Sequence, residues 1–302
     1  MSEAPQPVKV SQVTAPLVRS QKPSRGLGTP LVMVTAYDYP TAALADRAGM
    51  DIILVGDSLA QVVQGRSSTV PVTMEEMLYH TRLVARGVER ALVVGDMPFM
   101  SYQAEPADGV RNAGRFLKEA GATAVKIEGG QAMAPIARAI VNAGIPVMGH
   151  IGLTPQSVAS LGGYKVQGRD AEGAKELLAA ARALEEAGIF SLVLECIPDR
   201  VAERITQAIS IPTIGIGAGP RCDGQVLVFH DLVGLSPGPQ KQPRFVKPYA
   251  DVGRTILEAL RQFGREVREG DFPDKRHTYG IDDAQFAALD APEPEVREAG
   301  RP

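Results

Sequence analysis

The 302-residue sequence contains no tryptophan and only two cysteines, Cys196 and Cys222. Two cysteines cannot build a disulfide framework in a chain of this length, so we expect a protein of a reducing compartment, the cytoplasm. No stretch approaches the roughly 18 consecutive apolar residues that cross a bilayer, which argues against a membrane-spanning protein. The first 28 residues lack a continuous apolar core, so no secretory signal is predicted, although an organellar transit peptide stays an alternative.

Excess charge of either sign is also lacking. Lys and Arg together number 32 and Asp and Glu number 35, which gives a formal net charge of -3. Domains that bind nucleic acid, and polybasic segments that bind membrane surfaces, carry clusters of basic residues. We therefore predict no nucleic-acid or membrane partner. A small anionic ligand remains compatible, because one local cation outweighs a mild global charge.

The chain does contain eight short apolar runs. They are rich in Val and Ile and are apolar throughout rather than in alternation, which is typical of parallel strands covered on both faces by helices. The predicted strands are Leu31–Ala36, Ile52–Gly56, Ala91–Gly95, Ala124–Glu128, Ile145–Gly149, Phe190–Glu195, Pro212–Gly217 and Val226–Phe229.

Segments with helical character lie between these runs, and most of them stop at a glycine. Three times the phrase "RAG" or "EAG" ends a helix and leads directly into a new apolar run. The predicted helices are Thr41–Ala48, Thr73–Arg86, Asp108–Ala120, Gln131–Ala143, Asp170–Ala187, Arg200–Ala208 and Tyr249–Glu269.

Eight strands with intervening helices predict an α/β protein built as a (β/α)8 TIM barrel, in a single domain. We place the barrel and its C-terminal helix at residues 29–283, after a flexible N-terminal arm (1–28) and before a disordered tail (284–302). An open doubly wound sheet is the alternative. The glycine run Gly215, Gly217 and Gly219 does not support a dinucleotide site. The dinucleotide fingerprint requires a further glycine where this chain has Pro220, and a helix that begins directly afterwards.

Acidic residues stand at the ends of three successive predicted strands. Asp57, Asp96 and Glu128 follow or end strands two, three and four. The carboxyl ends of barrel strands form the functional rim, so these side chains should cluster there. Clustered carboxylates need a cation, and hard oxygen ligands without a cysteine or histidine pair favour Mg²⁺ over Zn²⁺. In the alternative reading Asp57 caps a turn and Glu128 pairs with Lys126.

Other polar residues end the remaining strands. Glu195 is a candidate base, with a satisfied core acid as the alternative. His150 is predicted as a residue of the site wall rather than the base. Tyr37 and Asp38 are predicted to line the site, Cys196 is predicted to be a buried filler, and His230 and Asp231 near strand eight remain unassigned.

Seven motifs at these strand ends carry a family resemblance. They occur in the order "VTAYDYPTA", "ILVGDSLA", "VVGDMPFMSY", "AVKIEGG", "VMGHIGLTPQSV", "LVLECIP" and "IPTIGIGAGP". In these motifs the chain resembles the ketopantoate (3-methyl-2-oxobutanoate) hydroxymethyltransferase family, from about residue 30 to about residue 280, within the phosphoenolpyruvate mutase/isocitrate lyase group of barrels. The resemblance implies magnesium ligands Asp57, Asp96 and Glu128, 2-oxo-acid contacts Asp57, Ser58, Asp96 and Lys126, and the proton acceptor Glu195.

The implied reaction adds a hydroxymethyl group from 5,10-methylenetetrahydrofolate to 3-methyl-2-oxobutanoate through a Mg²⁺-stabilised enolate, giving 2-dehydropantoate for pantothenate and coenzyme A. The resemblance also implies a homodecamer. Two rival hypotheses stay open, a lyase or mutase of the same barrel group and a non-catalytic barrel. The "KKCGH" phrase that is common in such lyases is missing from this sequence, which counts against the first rival.

Overall fold

The computed structural model describes residues 11–235 and 242–290. The described residues up to Asp251 belong to one compact unit, and those from Val252 onward belong to a second. The first unit is a closed barrel of eight parallel strands in sequential order, in which β8 pairs with β1. The strands are β1 Leu31–Thr35, β2 Ile52–Val55, β3 Leu92–Asp96, β4 Ala124–Glu128, β5 Val147–Gly152, β6 Ser191–Glu195, β7 Thr213–Ile216 and β8 Gly224–Leu227. The predicted (β/α)8 barrel is confirmed.

Helices connect the strands and cover the outside of the barrel. In the first unit they are α1 Ala15–Ser20, α2 Tyr39–Arg47, α3 Leu59–Val62, α4 Met74–Gly87, α5 Pro106–Ala120, α6 Ala134–Asn142, α7 Val158–Leu161, α8 Ala171–Glu186, α9 Asp199–Ala208 and α10 Phe229–Val233. A capping box begins α4, in which the side chains of Thr73 and Glu76 each accept a hydrogen bond from the other's backbone N–H.

The fifth strand differs most from its prediction. It begins at Val147 rather than Ile145 and continues to Gly152. Pro146 has no N–H for the ladder, so only its carbonyl takes part, accepting from the backbone N–H of Val125. The extension at the other end pairs Gly152 with Glu195 on β6, which places His150 inside the strand.

The barrel interior changes character along its axis. Its amino-terminal part is apolar, with Met33, Ile52 and Leu92 packed in one cluster. Towards the carboxyl ends of the strands the inward side chains become polar, as at Lys126 and His150, and both are buried. The polar candidate residues therefore lie at the carboxyl ends of the strands, as the sequence predicted.

The N-terminal segment differs from the predicted flexible arm over the residues that the structure describes. Thr14 caps α1 by accepting from the backbone N–H of Leu17. Ala15 and Val18 of this helix are buried in the apolar cluster of the barrel interior. Lys22 then forms a buried ion pair with Asp223. Residues 1–10 lie outside the described part of the chain, so the prediction for them stays a prediction.

The second unit contains the predicted long C-terminal helix, α11 Val252–Glu269, and a short helix, α12 Asp283–Ala287. The predicted disordered tail overlaps this unit, because residues 284–290 continue α12 into a 3-10 turn. The rest of that tail, 291–302, lies outside the described residues. Among the helices of the described residues, none combines the length and the apolar character of a bilayer span.

Candidate active site

Three carboxylates converge at the carboxyl ends of neighbouring strands. Asp57 lies two residues after β2, in the turn that leads into α3, whereas Asp96 is the last residue of β3 and Glu128 is the last residue of β4. One oxygen from each lies within 4.8 Å of the other two, and all three residues are buried. The backbone N–H of Asp57 donates to Asp96 Oδ2 over 3.1 Å, which fixes two of the acids relative to each other.

Lys126 supplies the nearest positive charge. The register pairs it with Asp96 across β3 and β4. Its Nζ lies 2.9 Å from Asp96 Oδ1 and 3.2 Å from Glu128 Oε1. Burial alone would lower the pKa of Lys126, but the three carboxylates outweigh it and raise that pKa. The ammonium group therefore stays protonated inside the barrel.

His150 joins the acidic cluster to Glu195. Its Nδ1 lies 3.1 Å from Glu128 Oε1 and its Nε2 lies 3.2 Å from Glu195 Oε2. Burial and the charge of Lys126 lower the pKa of His150, but Glu128 and Glu195 outweigh them and bring it to about 9. The imidazole is therefore charged at neutral pH, shares a hydrogen bond with Glu128 and lies in ion-pair distance of Glu195. His150 lines the cavity, as the sequence predicted, and it also lies between Glu128 and Glu195.

Two polar residues that the sequence analysis did not select complete the surroundings of the acids. Gln156 donates from Nε2 to Asp57 Oδ2 over 3.2 Å and from its backbone N–H to Glu128 Oε2 over 3.1 Å. Tyr102 accepts from the backbone N–H of Glu128 and donates to Gln156 Oε1. Both residues belong to motifs that carry the family resemblance, Tyr102 to "VVGDMPFMSY" and Gln156 to "VMGHIGLTPQSV". Their place in these motifs was the only sequence feature that pointed to the site.

The acidic cluster carries more negative charge than its neighbours neutralise. Burial and then the neighbouring acids raise the pKa of Asp57, and burial raises that of Asp96 despite Lys126. Burial would raise the pKa of Glu128 as well, but Lys126 and His150 outweigh it and bring it to about 2. The negative charges of Asp57 and Asp96 are therefore not fully neutralised by the residues around them. A divalent cation would supply the missing positive charge.

These residues line a cavity of about 560 Å³ at the mouth of the barrel. Ser58 lines it and shares a 2.8 Å hydrogen bond with the buried Tyr37 hydroxyl. Asp38 does not belong to it, because its carboxylate caps α2 by accepting from the backbone N–H of Thr41. Cys196 lines the cavity, but burial and then Glu195 raise the pKa of its thiol to about 12, so it is no nucleophile at neutral pH.

A family model described as ketopantoate hydroxymethyltransferase matches residues 13–275. The chain belongs to this family. It is 58% identical over 269 residues to 3-methyl-2-oxobutanoate hydroxymethyltransferase of Moorella thermoacetica, covering 89% of this chain and 98% of that protein. It is 55% identical to the enzyme of the same name from Syntrophobacter fumaroxidans, covering 92% and 97%. The predictions of this family and of a transferase are confirmed.

Solved structures outside the hydroxymethyltransferase family share the barrel. A phosphonopyruvate hydrolase aligns with a TM-score of 0.57 at 13% identity, covering 93% of this chain and 95% of that one. A 2,3-dimethylmalate lyase, titled a member of the PEP mutase/isocitrate lyase superfamily, aligns with a TM-score of 0.56 at 17% identity, covering 91% and 98%. At these identities the likeness concerns the fold alone.

The family membership gives the acidic cluster its context but does not assign individual residues. The geometry brings together Asp57, Asp96, Lys126, Glu128 and Glu195, and it adds neighbours that stabilise them. The roles of these residues as metal ligands, substrate contacts and proton acceptor therefore remain predictions.

Proposed function

We propose that this chain transfers a hydroxymethyl group from 5,10-methylenetetrahydrofolate to 3-methyl-2-oxobutanoate, giving 2-dehydropantoate in pantothenate biosynthesis, with Mg²⁺ as the metal. The observation that carries the proposal is the convergence of three buried carboxylates with Lys126 and Glu195 in one cavity. The relatives' names supply the oxo acid, and the family resemblance supplies the folate donor.

The donor set fits a hard divalent cation. Asp57, Asp96 and Glu128 offer oxygen ligands that lie within 4.8 Å of one another. This separation is close to the distance of about 4.2 Å between opposite ligands of Mg²⁺. Asp96 Oδ1 lies near Lys126 Nζ but has no aligned hydrogen bond, so it has a free lone pair. When bound, the cation would supply Lewis-acid polarisation of the substrate's carbonyl group.

The chain's own residues account for substrate binding and for the proton. The 2-oxo acid is an anion, and the buried Lys126 ammonium and the Ser58 hydroxyl lie where they can hold its charge and oxygens. Glu195 accepts the proton from C3, and the electron pair of the broken C–H bond becomes the enolate. His150 Nε2 lies 3.2 Å from Glu195 Oε2, close enough to stabilise the charge of the base.

Water adds to the one-carbon unit of the donor, both of its C–N bonds break, and the two hydrogens of the water pass to the folate nitrogens as the folate leaves. The enolate carbon then forms the new carbon–carbon bond with the resulting carbonyl carbon, whose oxygen takes the proton that Glu195 accepted and becomes the hydroxyl group. The pKa of Lys126 is raised, so its ammonium group stays protonated. It can therefore stabilise the negative charge of the enolate. This division of roles gives each buried charge of the site a task.

The first half of the reaction provides the test of the proposed base. In D₂O with Mg²⁺ and without folate, the wild type should exchange the C3 proton of 3-methyl-2-oxobutanoate, which collapses the methyl doublet in the proton NMR spectrum. Glu195→Gln should slow this exchange by at least about 100-fold, because general-base catalysis contributes about 10² to 10⁴. Mg²⁺ binding measured by calorimetry should be retained.

A matched control is Glu89→Gln, since Glu89 is exposed and lies outside the cavity. It should exchange at the wild-type rate. Exchange by Glu195→Gln at the same rate would remove Glu195 as the base. The predicted homodecamer and cytoplasmic location remain proposals, and sedimentation velocity tests the first.

A further inference from the structure

The cavity has two unlike sides. The side formed by strands β2 to β6 carries the acids, Lys126 and His150. The side formed by β7, β8 and β1 is mostly apolar and is lined by Ile216, Val226 and Val228. One carboxylate, that of Asp231, interrupts this apolar side. A charged group on a mostly apolar wall commonly sets the orientation of a ligand.

Asp231 lies in α10, just beyond β8. In the closed ring β8 is four strands from β4, so Asp231 lines the cavity on the side opposite Glu128. Its carboxylate has no hydrogen-bond or ion-pair partner within residues 11–235 and 242–290, and partial burial raises its pKa. A half-buried carboxylate without a partner is suited to accept hydrogen bonds from a ligand.

The ligand that meets Asp231 must present donors. The 2-oxo acid is an anion that a carboxylate repels, so it is better placed beside Lys126. Asp231 does not belong to the group of acids that could share a metal ion. The cavity of about 560 Å³ also exceeds what a five-carbon acid requires and lies in the range that holds drug-sized molecules.

We infer that Asp231 binds the 2-amino-4-oxopyrimidine edge of the folate co-substrate. This inference rests on the proposed function. That ring edge presents two neighbouring N–H donors, one from the amino group and one from the ring, and a carboxylate can accept both. The flat ring then lies against Ile216 and Val228, with Phe245 at the mouth as an aromatic neighbour. Lys165 and Arg244, exposed at the same mouth, suit the acidic end of folate.

The test compares two ligands on two proteins by calorimetry. Wild type should bind tetrahydrofolate at least about tenfold more tightly than the analogue that lacks the 2-amino group, since a hydrogen bond to a charged group is worth about 10- to 100-fold in affinity. In Asp231→Asn, tetrahydrofolate should bind about 10- to 100-fold more weakly, and the preference over the analogue should fall to threefold or less. Glu89→Gln should keep the wild-type preference.

The folate-free proton exchange reports whether Asp231→Asn is folded and still binds the oxo acid, so loss of folate binding cannot be mistaken for loss of structure. If the variant binds both ligands as the wild type does, the inference about Asp231 is overturned and the proposed function stands. If the wild type exchanges the C3 proton but binds no tetrahydrofolate, the proposed donor is overturned together with the inference.

Discussion

The buried ion pair between Lys22 and Asp223 offers a direct measure of how the N-terminal segment is held. Lys22 Nζ lies 2.5 Å from Asp223 Oδ2, and both side chains are at most 1% exposed. We predict that Lys22→Met destabilises the protein by about 3 kcal/mol, because breaking a buried pair by removing one partner costs about 3–5 kcal/mol. The lower end applies because Asp223 keeps hydrogen bonds from Ser24 and Thr213.

The opposite substitution should cost more. Asp223→Asn leaves the Lys22 ammonium buried without another carboxylate in contact among the described residues, so we expect about 4–5 kcal/mol. The double variant Lys22→Met/Asp223→Asn removes both charges. It should be destabilised by about 2 kcal/mol less than the sum of the single variants, because no unpaired charge remains buried.

Urea unfolding measures these effects as shifts of the midpoint at constant slope. The control is Arg111→Met, which breaks an ion pair of almost the same length, 2.6 Å to Asp108, whose side chains are 71% and 42% exposed. That exposed pair should be worth at most about 1 kcal/mol. If Lys22→Met costs no more than Arg111→Met, burial does not govern the strength of the pair and the reasoning fails.

Two further predictions concern the site. Gly152→Ala should slow C3 proton exchange at least about tenfold, because Gly152 has φ +100° and an added Cβ would clash with the carbonyl oxygen of Glu195. The control is Gly114→Ala, in an open helical position. It should leave the exchange rate unchanged and stabilise the protein by about 0.5–1 kcal/mol. Mg²⁺ affinity should rise with pH, because burial raises the pKa of Asp57 and Asp96 and the cation must displace their protons. Calorimetry in buffers of different ionisation enthalpy counts those protons, and a pH-independent affinity without proton release contradicts this account.

The barrel could be predicted from sequence because its signals are local. An apolar run, a glycine stop and a new run recur along the chain, and each unit can be recognised without knowing its neighbours. The helix α1 gave no such signal. Its six residues, "APLVRS", are too few to show a period, and its burial depends on an opening that all eight strands create.

The acids of the site were predictable for the same reason, since Asp57, Asp96 and Glu128 each end an apolar run. Their partners were not. Gln156 belongs to the segment after β5, and only the path of that segment brings its amide to Asp57, 99 positions away. The bridge from His150 to Glu195 likewise depends on the pairing of two strands. Such contacts are tertiary, so a local pattern does not contain them.

The docking of α1 also sets an order of events during synthesis. This helix precedes every strand of the barrel in the chain, yet the cluster that receives Val18 includes Ile214 and Val226, and the partner of Lys22 lies 201 positions later. Contacts so distant along the chain form late. We therefore expect α1 to complete its native contacts only after almost the whole barrel has been translated, in one of the last steps of folding.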